Sequence, residues 1–430
     1  MRAILENSET ATQKTFKSYI FFWSGQLFSL LGSSVTQFVI VWWITITTKS
    51  VVMLSIASFL YMVPMTIVIP IAGVIIDRYN RKRIIIIVDS LQAIITLFII
   101  ILFNMEIADP IMVILLNGVL GLFQGFHMPT VSAIVPTMVP KENLSRINGV
   151  NYLFTGFIRI LGPLVAATLI AFMPIKTILW IDPMTFIIAF IPLILIKIPK
   201  IKTANTRDKK NSFSKEFKEG FQMLKLIPVV SMMLLTSMFL NFLTMPFHIL
   251  RPYFVRFIHS GTALDLAFIS AFFYGGMLLG ALTTSIKKNW KHKIFIYFSG
   301  NIGLMLSLVF FAFSPKGWFL LLGIAAAFYG VIIPFLNTIY LTMMQIQVPL
   351  EKMGRLSSID LTISMALSPI AALSAGFLAE IIGVRNLFLY SAIIGMVITI
   401  IIWRFTSVRY NGKSIKEVVV IEIDESEKKS

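Results

Sequence analysis

Arg159 and Asp182 lie inside long apolar runs, where an ionisable side chain needs a reason. At the centre of a bilayer a charge costs about 2.5–3.5 kcal/mol on insertion scales, so each is a functional candidate. Three chemistries are open to them: a buried ion pair, proton uptake and release at the Asp182 carboxylate, or a cap on a helix broken by Pro183. His127 stands in the fourth run, and an imidazole titrates near neutral pH, so it joins them as a candidate for moving protons. A packing histidine held by hydrogen bonds is the other reading. Neutral polar side chains accompany them: Gln26, Ser33, Ser34 and Gln37 in the first run, Gln124 in the fourth, Asn241 in the seventh and Asn337 in the tenth. These could meet polar atoms of a small molecule in a cavity walled by Phe and Met, or join helices to one another.

A second constellation is the stretch GVIIDRYNRKR, Gly73 to Arg83, wedged between two apolar runs. It reads G-x-x-x-D-R-x-x-R-K through Gly73, Asp77, Arg78, Arg81 and Lys82. Glycine permits close helix approach. Asp77 at a membrane boundary can face the positive end of a neighbouring helix. A match for it is the start of the eleventh run, with Ser357 and Ser358 as caps and Asp360 in its first turn, within reach of Arg78 or Arg81. The expectation is a latch between the two parts of the chain.

The elements that position these residues follow from composition. The 430 residues are 57% hydrophobic and only 13% charged, with a mean hydropathy of +0.86, which excludes a soluble globular class. Apolar runs of about 20 residues recur from end to end, the pattern of an all-α polytopic membrane protein. Twelve spans are expected: 18–46, 52–76, 84–103, 111–133, 148–172, 177–197, 228–255, 264–286, 294–313, 317–343, 358–382 and 385–405. The net charge of +17 sits in alternate connections and not on one basic face, so it argues for a lipid bilayer and against nucleic acid. Of 37 Lys and Arg, only Lys49, Lys176, Arg251, Arg256, Lys316 and Arg385 fall towards the outside and Arg159 within a span. That leaves about 30 on the inner side when both termini are cytoplasmic. There is no cysteine, no metal-ligand spacing and no nucleophile grouped with a base, so neither a metal, a cofactor nor an enzyme activity is expected.

The expected organisation is a cytoplasmic N-terminus (1–17), a six-helix half (18–197), a linker (198–227), a second six-helix half (228–405) and a cytoplasmic tail (406–430). Within the linker, SFSKEFKEGFQMLK spaces its Phe residues as an amphipathic helix lying on the inner leaflet. The halves echo one another. QGFHMP (Gln124–Pro129) matches YGVIIP (Tyr329–Pro334), VPKENLSR matches VPLEKMGR, GPLVAA matches SPIAAL, and Gly73 corresponds to Gly280. A duplicated six-span unit with a cavity near the midplane is one known transporter design.

The Gly73–Lys82 loop resembles the cytoplasmic motif of the major facilitator superfamily. WSGQLFSLLGSSVTQFVI, VPKENLSRING and WIDPMTF resemble the bacterial drug–proton antiporter branch and, within it, the macrolide-efflux (Mef-type) proteins. The resemblance implies twelve helices in two pseudo-symmetric halves, a location in the cell membrane, and a monomer. It implies proton-driven efflux of hydrophobic or amphipathic compounds by alternating access, with the loop as a conformational lock. RILGPLVAA resembles the antiporter bend motif, which implies that Gly162 and Pro163 bend the fifth span and pack it against the eighth. The fourth span lacks the arginine of many drug antiporters. Export of a siderophore, lipid or metabolite is the alternative within the branch, and a non-transporting sensor the alternative outside it.

Overall fold

In a bilayer core no water is present to satisfy backbone N–H and C=O groups, so apolar runs of this length must fold as helices. The structure, a computed structural model, describes residues 11–199, 227–287, 290–348 and 350–405. They form helices α1 (Gln13–Thr48), α2 (Val51–Arg78), α3 (Arg81–Asn104), α4 (Pro110–Met138), α5 (Leu144–Phe172) and α6 (Ile181–Leu195). The order continues with α7 (Pro228–Tyr253), α8 (Ala263–Ile286), α9 (Lys293–Phe313), α10 (Phe319–Gln347), α11 (Leu350–Ile382) and α12 (Val384–Phe405). Among the described residues eleven stretches are long and apolar enough to cross a membrane, and α11 contributes the apolar segment Leu367–Ile382. The 198–227 linker, apart from its outermost residues, and the 406–430 tail lie outside the described residues.

Local chemistry sets the boundaries. Thr12 and Thr15 form a reciprocal capping box at the start of α1, Ser50 caps α2, and Asp109 caps α4 ahead of Pro110 at the first helical position, each satisfying N–H groups that have no helical acceptor. Two-residue turns after α1 and α2 force antiparallel neighbours. The sixth span departs from the expected 177–197: a single turn, Ile175–Ile178, precedes a break, and the helix restarts at Ile181. The seventh ends in a π-turn, Phe254–Ile258. The eleventh begins at Leu350, not 358, so Ser357 and Ser358 lie within the helix and do not cap it, and Asp360 is beyond its first turn.

Among the described residues, packing divides the chain into two compact units. One lies within Met1–Thr206 together with Ile249–Tyr274, the other within Arg207–His248 together with Gly275–Ser430. In the first unit Tyr19, Phe22, Ile85, Ile134, Met138, Ile147 and Leu193 form a buried cluster joining α1, α3, α4, α5 and α6.

Glycine governs the close backbone contact between α2 and α4 in this unit. A Cβ at Gly121 would overlap the Tyr61 carbonyl, and one at Gly125 would lie 2.8 Å from the Met65 carbonyl oxygen. The constant offset of these pairs marks parallel helices. Pro64 lacks the N–H that the Leu60 carbonyl needs. That carbonyl faces Gly118, 3.0 Å from where a Cβ would stand, close enough for Cα–H···O contact. Gly73, expected to permit close approach, has open space where its side chain would be. Its sequence counterpart Gly280 does make such an approach, with Gly276: both meet carbonyls of α10, at Val331 and Ala327. The contact between second and fourth helices therefore recurs between α8 and α10, with the glycines on the opposite partner.

Candidate functional site

The first unit encloses a cavity of about 410 Å³. Gln26, Ser33, Ser34 and Gln37 of α1, Gln124 and His127 of α4, Arg159 of α5 and Asp182 of α6 all line it. Helical spacing explains the convergence on α1: positions 26, 33 and 37 fall on one face. Gly162 lets α5 approach α1, because a Cβ there would collide with the Ser34 side chain. This corrects the expected partner of Gly162 from the eighth helix to the first. Pro163 is buried beside it within α5. The contact of α5 with the eighth helix is made by Arg159, whose guanidinium carbon lies 5.8 Å from the centre of the Tyr274 ring.

Asp182 gains its position from the break in the sixth span. The restart at Ile181 places it in the first turn of α6, where unpaired N–H groups carry partial positive charge. Its Oδ1 accepts a hydrogen bond from Ser33 Oγ at 2.8 Å and its Oδ2 accepts one from Thr96 Oγ1 at 2.9 Å. Asp182 is thus held by two hydroxyls and a helix end, and Arg159 stands over an aromatic ring on the same cavity.

A second carboxylate was not among the expected residues. Asp89 of α3 is only 7% exposed, and with Asp182, Gln26, Ser33, Gln92 and His127 it lines a smaller cavity of about 60 Å³. His127 Nε2 lies 3.4 Å from Asp89 Oδ1 and 3.1 Å from Gln26 Oε1. Asp89 escapes a scan for charge in mid-span because it sits barely two turns after Arg83. The available signal is periodic: Asp89, Gln92 and Thr96 fall at i, i+3 and i+7, one face of a helix. Chemically the smaller cavity offers two carboxylates and an imidazole, and the larger one adds Arg159 beside Asp182 and His127, an arrangement able to exchange protons or hold a charged group.

The loop residues have local tasks. Asn80 caps α3 by accepting from the N–H groups of Lys82 and Arg83. Arg81 Nη1 donates to the Ala133 carbonyl at 2.7 Å, one residue past the carbonyl that Pro136 leaves without a helical donor. Lys82 Nζ donates to the Ile194 and Ile196 carbonyls at 2.6 and 2.7 Å, a cation on the negative end of α6. Asp77 and Arg78 lie exposed in the last turns of α2, and the Asp77 charge acts on Arg81. Asp360 accepts from Tyr340 Oη at 3.1 Å. Lys82→Met is therefore expected to lower stability by about 1–2 kcal/mol. Thermal unfolding of the purified protein would show this as a midpoint lower by a few degrees, and an unchanged midpoint would make Lys82 a free surface charge.

Asn241 and Asn337 line a separate cavity of the second unit, about 310 Å³, with Tyr297, Asn301 and Tyr329. Among the described residues no group of three or more His, Cys, Asp or Glu is placed to hold a metal ion.

Comparison with known proteins decides the family. The sequence profile described as Major Facilitator Superfamily matches residues 22–372. The chain belongs to the major facilitator superfamily. This major facilitator protein is 28% identical over 381 residues to a protein named macrolide efflux protein A from Streptococcus pyogenes, covering 88% of this chain and 93% of that one. It is 22% identical to the multidrug efflux pump Tap of Mycolicibacterium fortuitum, over 83% of this chain and 88% of that one. Among solved structures it shares its fold with a bacterial homologue of the iron transporter ferroportin in an inward-facing state. The TM-score is 0.71 at 13% identity, over 90% of this chain and 99% of the other. The chain is a multi-pass membrane transporter of small molecules by family, as the resemblance of its loop implied.

Proposed function

We propose that this transporter exports hydrophobic or amphipathic compounds by alternating access in the cell membrane, as a monomer with both termini cytoplasmic, and that it exchanges them for protons. The observation that carries the reading is the pair of carboxylates, Asp182 and Asp89, on the walls of one cavity, with no Arg or Lys among the described residues bonded to either. Neutralising a carboxylate held by hydroxyls or imidazole leaves no buried cation orphaned, which is the condition for a proton to come and go during a transport cycle. The electrical drive is adequate, since each charge moved is worth about 2.3 kcal/mol per 100 mV. The names of the macrolide and multidrug relatives support the direction and the chemical class of the cargo.

Everted membrane vesicles incubated with a panel of fluorescent amphipathic compounds test this. Accumulation that a protonophore abolishes is the expected result, and gradient-independent flux, or none across the panel, contradicts the reading. The loop enters the cycle as a lock at the end of α2. Asp77→Asn is expected to reduce transport at least about tenfold at unchanged membrane abundance. Equal loss of abundance and transport would make Asp77 a folding residue.

A further inference from the structure

The cavity of the second unit differs in kind from that of the first. Ten of its fifteen lining residues carry side-chain nitrogen or oxygen, and none is Asp, Glu, Lys or Arg. It is bounded by one face of α7, by α9, by one face of α10 and by Ser368 of α11. Most of its polar groups are engaged within the protein. Tyr297 Oη donates to the Met233 carbonyl at 2.9 Å and lies 2.6 Å from Ser237 Oγ, and Asn301 Nδ2 donates to the Tyr297 carbonyl at 2.9 Å. His248 Nε2 and Tyr329 Oη lie 3.3 Å apart.

Asn241 and Asn337 are the exception. Both side chains are exposed to the cavity, and neither carboxamide hydrogen-bonds another described residue. An unsatisfied amide at this depth in a span is costly unless it faces water or a ligand. Each offers two donors and an acceptor, and Leu240, Met245, Leu304, Ile333 and Leu336 supply the apolar part of the same lining.

We propose that this cavity binds the uncharged, oxygen-rich part of the cargo, a sugar, polyol or similar hydroxyl-bearing ring, through Asn241 and Asn337. The inference rests on the exporter reading above and adds to it a division of labour: charge is handled in the first unit, neutral polar groups in the second. A carboxamide pairs with neighbouring hydroxyls as donor and acceptor at once. Among the described lining residues there is no carboxylate or cation, and the nearby Asp360 carboxylate is engaged by Tyr340 Oη at 3.1 Å, so the lining itself favours uncharged polar groups. The volume lies at the small end of the range that buries one compact ligand moiety.

The test is equilibrium binding to the purified full chain in lipid nanodiscs. The probes are 4-methylumbelliferyl glucoside, its aglycone 4-methylumbelliferone, and the tetraphenylphosphonium cation. The wild type is expected to bind the glucoside more tightly than the aglycone or the cation. The double variant Asn241→Leu with Asn337→Leu is expected to weaken glucoside binding about tenfold or more and to leave the other two within about twofold. Replacing both by Ser, which keeps a donor and an acceptor, is expected to recover part of the loss. Wild-type preference for the aglycone or the cation overturns the proposal. So does an unchanged glucoside affinity in the Leu variant, or an equal loss for all three probes. Failure of proton-driven flux in vesicles would sink the exporter reading alone, because the binding result decides the cavity independently.

Discussion

Asp182→Asn is expected to abolish proton-driven accumulation while leaving a folded protein that still exchanges substrate across the membrane. The amide is the same size as the carboxylate, and its remaining oxygen can accept from Ser33 or Thr96, now 2.8 and 2.9 Å away. The other hydroxyl can rotate to accept from the new NH2 group. What disappears is a group able to change charge. One proton moving down about 120 mV is worth about 2.8 kcal/mol, about 100-fold in accumulation ratio, and that is the loss expected in everted vesicles under a gradient. Counterflow, in which labelled substrate exchanges for unlabelled without a gradient, should persist. Undiminished accumulation would remove Asp182 from coupling. Loss of counterflow together with accumulation would place it in substrate binding. Asp89→Asn separates the two carboxylates: a partial effect there, with His127 still held by Gln26 at 3.1 Å, would leave Asp182 as the principal site.

The largest structural effect is expected at Gly121. A single methyl there would overlap the Tyr61 carbonyl oxygen and stand 2.9 and 3.0 Å from its carbonyl carbon and Cα. These are backbone atoms with no rotamer to move into, so α2 and α4 must separate, loosening the Gly118 and Gly125 contacts on the same face. Gly121→Ala is expected to cost about 2–4 kcal/mol, and Gly121→Leu to prevent assembly. Size-exclusion profiles and unfolding midpoints of the detergent-solubilised protein would read both. Gly73→Ala is the contrast: nothing lies within 4 Å of the added atom, and alanine favours the helix by up to about 1 kcal/mol. Its midpoint should hold or rise. Impaired transport in a stable Gly73→Ala protein would show that the glycine serves motion and not packing.

Much of the fold was legible because hydrophobic length alone sets a span, and the twelve apolar runs became twelve helices. Boundaries were less legible where a helix outruns its apolar part. The eleventh helix begins at Leu350, ahead of its apolar part, whereas the expected start followed the hydropathy. The candidate site was legible on α1 and α4, where Gln26, Ser33, Gln37, Gln124 and His127 are conspicuous against leucine and phenylalanine. Asp89 was hidden by its nearness to the charged loop. The tasks of Arg81 and Lys82 were hidden for another reason: their partners are backbone carbonyls, and no side-chain type announces which carbonyl a neighbouring helix will present. The swap of glycines between α4 and α8 is invisible in the same way, since the repeat aligns Gly73 with Gly280 and only Gly280 touches a neighbour.

That swap limits what can be exchanged between the halves. The α2–α4 contact has its smooth face on α4, and the α8–α10 contact has it on α8. A chimera carrying α10 in place of α4 would set two side-chain-bearing faces against each other at Tyr61, and one carrying α4 in place of α10 would set two bare faces together and leave a gap. The same kind of close approach is built twice with the residue that permits it on opposite partners, so α4 and α10 are not interchangeable parts.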